Sequence, residues 1–502
     1  SEQIMNMSGI LGIHEKALRI LGESRDYYDV KSATDVWFDK VFDEDLYYVS
    51  GVASAVGVFT ENELMNHDSG VNLRSVWCRI VNTDITEYAN SHGLRGSDLS
   101  KKVNWGKKGH DIMTEYISRV ADHSEIEKIW NVSLPENQYD ARKLKNLINS
   151  TKYTVARFSA ENKVEDIQLN NANKVQWGGN REIYIMTFGA KNIQWALEQM
   201  FKYVSELIDN ELIHIPASTR LSRLYSSVKK KQQGVRYYLT LDCRKWAPLS
   251  NINKYVTFIN SMSGLLPREF IGDFNYFFKL YYCKKLFFKK DDVESFLRPE
   301  RNKIYEEYFI KSGDAYYIQM PYSFMMGMFN YLSSVYHAMT QRYFIKEIIP
   351  YIERKWKCKI YMEMYAHSDD SGGYIEIINS NSYQDVMLDV LRNYESFQKC
   401  NNHMLSLKKC VVSNSYFEIT SYCFMKTDPM PVLSKFIYNH QINLTASGYI
   451  SDVKSISSDV TEMVMNGSSF QCAFIRYICL GESYRKHCMG EGLTDLTSRI
   501  SY

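Results

Sequence analysis

Residues 360–378 read IYMEMYAHSDDSGGYIEII. Ile360–Ala366 and Tyr374–Ile378 are rich in the β-branched and aromatic residues that suit strands, and His367–Gly373 between them supplies the Ser, Asp and Gly of a turn. The stretch therefore predicts a hairpin tipped with two adjacent carboxylates, Asp369 and Asp370. Alone, such a pair is an ordinary solvated turn. The reading changes with what lies upstream, where Val235–Leu241 (VRYYLTL) is another strand-like run that stops abruptly at Asp242.

A strand-borne Asp together with an Asp pair on a hairpin offers hard oxygen ligands on rigid elements. That is what two divalent ions about 3.5–4 Å apart require in phosphoryl transfer, with substrate phosphates adding further oxygens. Between these carboxylates runs Gln319–His337, QMPYSFMMGMFNYLSSVYH, in which Gly327 interrupts an apolar stretch ahead of a helix-like segment carrying Asn330, Ser333 and Ser334. A glycine there lets backbone approach a base or sugar closely; taken alone, the segment reads as a core helix with a tolerated glycine.

Composition sets the outer bounds. With 502 residues, 45% of them hydrophobic, the chain can bury a large core and is no small binding module. Sixty Lys and Arg against 58 Asp and Glu leave no global positive field, so any nucleic-acid surface must come from local clustering. Nine Pro and 25 Gly are few for this length and argue for many helices. Ten Cys without a CxxC suggest reduced thiols in a reducing compartment. Two looser sets, Cys400, His403, Cys410 and Cys423, and Cys472, Cys479, His487 and Cys488, lack compact zinc spacing, and no zinc is expected. The sequons at Asn6, Asn131, Asn149, Asn443 and Asn466 read as chance. Met320–Met339 is the most apolar window, but Ser323, Asn330, Ser333, Ser334 and His337 argue for a buried loop and helix and against membrane insertion. The chain starts Ser-Glu-Gln, which suggests a fragment with flanking domains missing. Gly-rich phosphate-loop, HExxH, GxSxG and EF-hand patterns are missing.

Residues 1–150 carry helical periodicity, as in Ile10, Leu11, Ile13, Ala17, Leu18, Ile20 and Leu21, and no nuclease-like motif. Residues 150–240 alternate helix-like stretches with the densest cationic patches: Lys152 and Arg157, Lys174 and Arg181, Arg220 and Arg223, and the run Lys229, Lys230 and Lys231. Any one of these is ordinarily a solvated face.

Ordered along the chain, the segments resemble the motifs of the RNA-directed RNA polymerases of segmented negative-strand RNA viruses. Asp242-Cys-Arg-Lys245-Trp246 resembles motif A, Gly327-Met-Phe-Asn330-Tyr-Leu-Ser333-Ser334 motif B, and Ser368-Asp369-Asp370 motif C. Arg181-Glu182-Ile183 is similar to the core of the fingertip motif, Lys408-Lys409 to motif D, and Glu418-Ile-Thr-Ser421 to the Glu-x-x-Ser motif E of the bunyavirus large protein. The six run in family order over about 165–425, and a hantavirus-like subgroup is the narrower expectation. Met326 stands where many relatives have Gln. Ala247 stands where positive-strand polymerases often have a second Asp, which leaves Asn330 as the candidate sensor of the ribose 2′-hydroxyl.

The resemblance implies an α+β right-hand polymerase with an antiparallel palm sheet, helical fingers and a helical thumb. The expected parts are a helical or fingers-side region over 1–150, fingers with the fingertip motif over 151–240, palm motif A over 241–262, a fingers insertion over 263–315, palm motifs B to E over 316–425 and a thumb over 426–502. Template-directed RNA synthesis from nucleoside triphosphates is the implied activity. The alternatives are a non-catalytic RNA-binding scaffold and a reverse transcriptase. Asp242, Asp369 and Asp370 are the expected ligands of two Mg²⁺ or Mn²⁺ ions, with Glu418 a further carboxylate. Lys174 and Arg181 suit the incoming triphosphate. Lys245 suits the phosphate side of motif A, and either Lys408 or Lys409 can give a proton to pyrophosphate. Lys229, Lys230 and Lys231 track RNA backbone, while Trp246 either stacks on a base or packs in the core. Viral template and promoter RNA, a viral nucleoprotein, and flanking endonuclease and cap-binding regions are the implied partners, in host cytoplasm and virion.

Overall fold

The computed structural model describes residues 49–67, 72–83, 164–174, 181–244, 246–320, 324–325, 327–406, 408–430 and 468–488, with 453, 456–457, 460–461 and 463–464. In chain order its strands are β1 (Gln168–Lys174), β2 (Arg181–Met186), β3 (Val235–Asp242), β4 (Lys285–Lys289), β5 (Ile310–Ser312), β6 (Ala315–Gln319), β7 (Lys359–His367), β8 (Asp370–Ile378), β9 (Val411–Ser413), β10 (Tyr416–Ile419), β11 (Tyr422–Met425) and β12 (Asp428–Met430). Helices intersperse them, giving a mixed α and β fold. The chain divides into two compact units: residues 1–209, 243–344 and 391–405 form one, and 210–242, 345–390 and 406–502 the other.

The first unit holds the sheet β2-β1-β4-β6-β5. Its pairs are antiparallel except β1 with β4. β1 reads QLNNANK, with none of the apolar alternation of a strand, which is why 150–240 looks helix-like in sequence. It becomes a strand because β2 and β4 complete its backbone hydrogen bonding from either side. Helices Phe188–Glu206, Ile252–Asn260, Arg268–Tyr282 and Asn330–Tyr343 build an aromatic core. Phe201, Phe270, Phe274 and Phe278 meet in edge-on and offset pairs 4.4–6.1 Å between centroids, each worth about 0.5–1.5 kcal/mol beyond burial. The apolar window at Met320–Met339 is not one helix. Phe324, Met325, Met328 and Phe329 are buried ahead of a helix that starts at Asn330. Among the described residues no helix is long and apolar enough to cross a membrane.

The second unit is built on an antiparallel sheet ordered β7-β8-β3-β9. β3 alternates buried and half-buried positions, whereas the middle of β8 is buried throughout, as expected for a strand covered on both faces. Gly372 on β8 makes the covering possible, since a Cβ there would lie 2.6 Å from the Leu239 carbonyl and 2.8 Å from the Phe417 ring. The meander β10-β11-β12 packs through Phe417, Ile419 and Phe424 into a core with Leu224, Val228, Tyr238 and Tyr374. β12 continues this meander past residue 425, so the expected boundary there falls inside one sheet.

Candidate active site

Two chain segments place the acidic residues at one end of the four-stranded sheet. Asp242 is the last residue of β3 and Asp370 the first of β8, and the two are register partners. Directly opposite residues of an antiparallel pair project to the same face about 4.5–5.5 Å apart, so the pairing brings two carboxylates together. The connection from β7 is tighter than the sequence implies. His367 pairs with Asp370, and Ser368 and Asp369 alone make the turn. Ser368 adopts a left-handed φ of 57°, the conformation that two-residue hairpin turns demand. Asp370 is thus a strand residue, and Asp369 alone of the pair occupies the tip.

A third segment closes on Asp242. The Ser406 amide donates to the Asp242 carbonyl at 2.8 Å, and the Lys409 and Cys410 amides donate to the Ser406 carbonyl at 2.8 and 3.0 Å, forming a turn. From that turn Lys409 Nζ reaches Asp242 Oδ2 at 2.9 Å. Lys408 is exposed and makes no such contact, so of the two lysines the structure brings Lys409 to the acidic cluster. Glu418 arrives on β10, whose backbone is fixed to β3 by the Glu418 amide donating to Thr240 Oγ1 at 2.8 Å. Its Oε2 accepts the Tyr416 hydroxyl.

The electrostatics record an excess of negative charge. Burial, then Asp369 and Asp242, push the Asp370 carboxyl up to about 7, with Lys409 pulling the other way and Glu418 adding to the rise. The hydrogen bond to Asp242, then its charge, hold the Lys409 ammonium above its usual range, with Asp369 and Asp370 contributing. Among the described residues no three His, Cys, Asp or Glu side chains converge as a ready-formed metal cage. The donor set nevertheless fits Mg²⁺ or Mn²⁺: it is all carboxylate oxygen, and one ammonium already stands as a cation against Asp242.

The remaining expected residues are divided between the two units. Lys174 and Arg181 are register partners at the loop end of the β1–β2 hairpin, in the first unit. Gly327 is exposed with φ 85° and Asn330 is exposed at the start of its helix. Ser333 and Ser334 behave otherwise. Both are buried, and Ser333 Oγ donates to the Asn330 carbonyl at 3.1 Å. The Trp246 ring lies 4.5 Å from that of His403 and 5.1 Å from that of His337, with Lys254 Nζ 5.4 Å from its centroid. The half-buried indole is thus packed against two imidazoles. Of the basic run, Lys230 pairs with Glu363, Lys229 lies 4.4 Å over the Tyr225 ring, and Lys231 is exposed. Lys245 lies outside the described residues.

Sequence reasoning missed the supports. Nothing local in Thr240 or Ser406 announces that they anchor the neighbours of Asp242, because their partners lie more than a hundred residues away. The glycine pair Gly372-Gly373 did carry a signal, since a glycine inside a strand marks close backbone approach.

A family model described as bunyavirus RNA dependent RNA polymerase matches residues 152–483, about two thirds of the chain. The chain is also similar to three proteins named RNA-directed RNA polymerase L. That of Bunyamwera virus is 21% identical over 324 residues, covering 60% of this chain and 14% of the relative. Those of bovine Schmallenberg virus and Heartland virus are each 22% identical, covering 58% and 60% of this chain and 14% and 16% of the relative. The chain thus spans about one seventh of the length of the relatives it matches.

Proposed function

Because the chain belongs to the bunyavirus RNA-dependent RNA polymerase family, we propose that it forms the nucleotide-adding core of a large viral polymerase, joining ribonucleoside triphosphates on an RNA template and releasing pyrophosphate. One observation carries this reading: Asp242 stands opposite Asp370 in the β3–β8 ladder with Lys409 against it. In this reading the β7-β8-β3-β9 sheet is the palm, the first unit supplies the fingers, and residues after β12 lead into the thumb.

Asp242, Asp369 and Asp370, with Glu418, would hold two divalent ions, which when bound supply a more acidic primer hydroxyl and neutralise charge on the phosphates. The protein's part is positioning. The paired strands fix the carboxylates, and the Ser406 turn holds Lys409 Nζ where it can give a proton to departing pyrophosphate. Lys174 and Arg181, with Lys245, would meet the triphosphate. Gly327 and Asn330 would meet the ribose, and Lys229 and Lys231 the RNA backbone. Template and promoter RNA, a nucleoprotein, and the nuclease and cap-binding parts of the longer protein belong to the same proposal, as does action in host cytoplasm and virion.

The test is primer extension on a short RNA template with Mg²⁺ or Mn²⁺, comparing ribo- and deoxyribonucleotides and setting the chain beside its Asp369→Ala variant. Loss of ribonucleotide incorporation with no loss of thermal stability is expected. Equal incorporation by the variant rejects a polymerase, and preference for deoxyribonucleotides points to a reverse transcriptase.

A further inference from the structure

The helix Asn330–Tyr343 begins without a local cap. Its N-cap residue is Phe329, left-handed at φ 52°, whose own side chain accepts nothing from the first turn. Hydrophobic residues are poor caps because the first amides of a helix then lack acceptors. The acceptor comes instead from a different helix, Phe188–Glu206, where Glu198 Oε1 takes the Tyr331 amide at 2.8 Å.

Several observations set Glu198 apart from a routine cap. Its Oε2 is shut off from solvent and has no hydrogen-bond partner. Burial pushes its carboxyl up to about 7, against the pull of the Tyr331 amide, of Lys191 and of the Leu332 and Asn330 amides. A carboxylate kept in so unfavourable a place is held by the surrounding packing, and it faces the positive end of the helix.

The other end of the arch is pinned as well. The Tyr281 hydroxyl accepts the Met325 amide at 3.1 Å, and Phe329 packs against Phe277 and Phe278. Between these anchors Gly327, at φ 85°, and Asn330 are exposed. The helix bearing Glu198 starts at Phe188, directly after the strand that carries Arg181, with only Thr187 between them. One rigid element therefore links the strand proposed for the triphosphate to the residue proposed for the sugar.

We propose that Glu198 is a positioning residue for ribose recognition, fixing the Gly327–Asn330 arch through the Tyr331 amide so that Asn330 is presented to the 2′-hydroxyl. This rests on the reading of Gly327 and Asn330 as the sugar-facing segment of a polymerase. Removing the carboxylate frees the first turn of the helix and lets Asn330 move without touching any group that binds metal.

The experiment titrates a ribonucleoside triphosphate and its 2′-deoxy counterpart onto the full chain bound to a template–primer with Mn²⁺, and compares the two Kd values. The wild-type chain is expected to prefer the ribonucleotide. Glu198→Ala is expected to reduce that preference by roughly tenfold, the loss that goes with a cap of about 1.4 kcal/mol. Glu198→Gln, whose amide oxygen can accept the same N–H, is expected to keep it within about twofold. Should Glu198→Ala fail to fold, Glu198→Asp, one methylene shorter, takes its place with a smaller loss expected. A merely structural residue would lower thermal stability and leave the ratio alone, so an unchanged ratio in Glu198→Ala overturns the proposal. So does a wild-type chain without ribose preference, or a Glu198→Gln variant as impaired as Glu198→Ala. Failure of the underlying reading looks different: Asp369→Ala would then retain incorporation, whatever the ratio does.

Discussion

Asp242 and Asp370 lie directly opposite each other where β3 ends and β8 begins. The consequence is a pH dependence with a definite sign. Burial, Asp369 and Asp242 raise the Asp370 carboxyl from an ordinary 3.8 to about 7. Between those values the native state keeps a proton that the unfolded chain has released. The site's contribution to stability is therefore full at low pH and is lost as pH rises towards 7. Asp370→Asn should stabilise the metal-free chain by about 1–2 kcal/mol near pH 8, allowing for solvent screening at this half-buried site, and by nothing near pH 4. Urea unfolding at both values checks it. Because protons and metal compete for the same oxygens, Mn²⁺ affinity of the unmodified chain should rise between about pH 6 and 8 and flatten in the variant.

Lys409 holds Asp242 Oδ2 through one exposed ammonium, so a divalent ion must displace it. Lys409→Ala should accordingly bind Mn²⁺ more tightly. If Lys409 is the proton donor to pyrophosphate, the same variant should incorporate nucleotide about a hundredfold more slowly, within the usual range for general acids. Lys408→Ala should change neither property appreciably. Mn²⁺ titration and single-turnover incorporation on the three proteins separate these effects, and equal losses in both variants would remove the distinction between the lysines.

The elements that carry the acidic cluster were legible because they are short-range signals. VRYYLTL ending at Asp242 is β3 almost to the residue, and the turn composition at 367–373 marks the β7–β8 hairpin. What stayed hidden depends on distant partners. β1 has no strand pattern and exists through β2 and β4. Residues 367 and 370 pair, leaving a two-residue turn, because Ser368 accepts a left-handed backbone that composition does not advertise. That Lys409, and not Lys408, contacts Asp242 follows from the turn at Ser406, and Glu198 caps a helix 133 residues further on. Ser333 and Ser334 show the limit of a motif match: it picks them out by spacing, while their burial is set by the packing of the helix around them.

The two exposures of glycine to substitution differ in kind. At Gly372 a methyl group would collide with the Leu239 carbonyl at 2.6 Å, and backbone cannot step aside as a flexible side chain does. At Gly272, inside the helix Arg268–Tyr282, a Cβ meets nothing within 4 Å. Gly372→Ala should destabilise the chain by about 1–3 kcal/mol through overpacking, while Gly272→Ala should stabilise it by about 1 kcal/mol through helix propensity. Chemical denaturation of both variants in one buffer is the check. A neutral Gly372→Ala would mean that β8 is not closely covered by Phe417 and β3.

At the far end of the same ladder Arg236 pairs with Glu376, six positions from the Asp242–Asp370 pair. Only 4% of either side chain is exposed, and Arg236 Nη2 and Nε approach Glu376 Oε2 at 2.7 and 3.0 Å. The guanidinium also donates to the Val228 and Lys230 carbonyls at 3.2 and 3.0 Å and lies 4.3 Å over the Tyr374 ring. Burial works against ionisation of Glu376, but the Arg236 hydrogen bond and the Gln233 and Gly234 amides outweigh it and hold the carboxyl below its ordinary 4.5. Removing one partner leaves the other buried and uncompensated, so Arg236→Met should cost about 3–5 kcal/mol. The sign with pH is opposite to that at Asp370. Stability from a lowered carboxyl is present above its unfolded value and lost as pH falls through the folded one. The difference between the unmodified chain and Arg236→Met should thus be largest near neutral pH and shrink below about pH 4.5. Urea midpoints across that range test it, and a difference that stays constant down to about pH 3 would show that Arg236 stabilises the sheet through packing on Tyr374 and its carbonyl contacts rather than through Glu376.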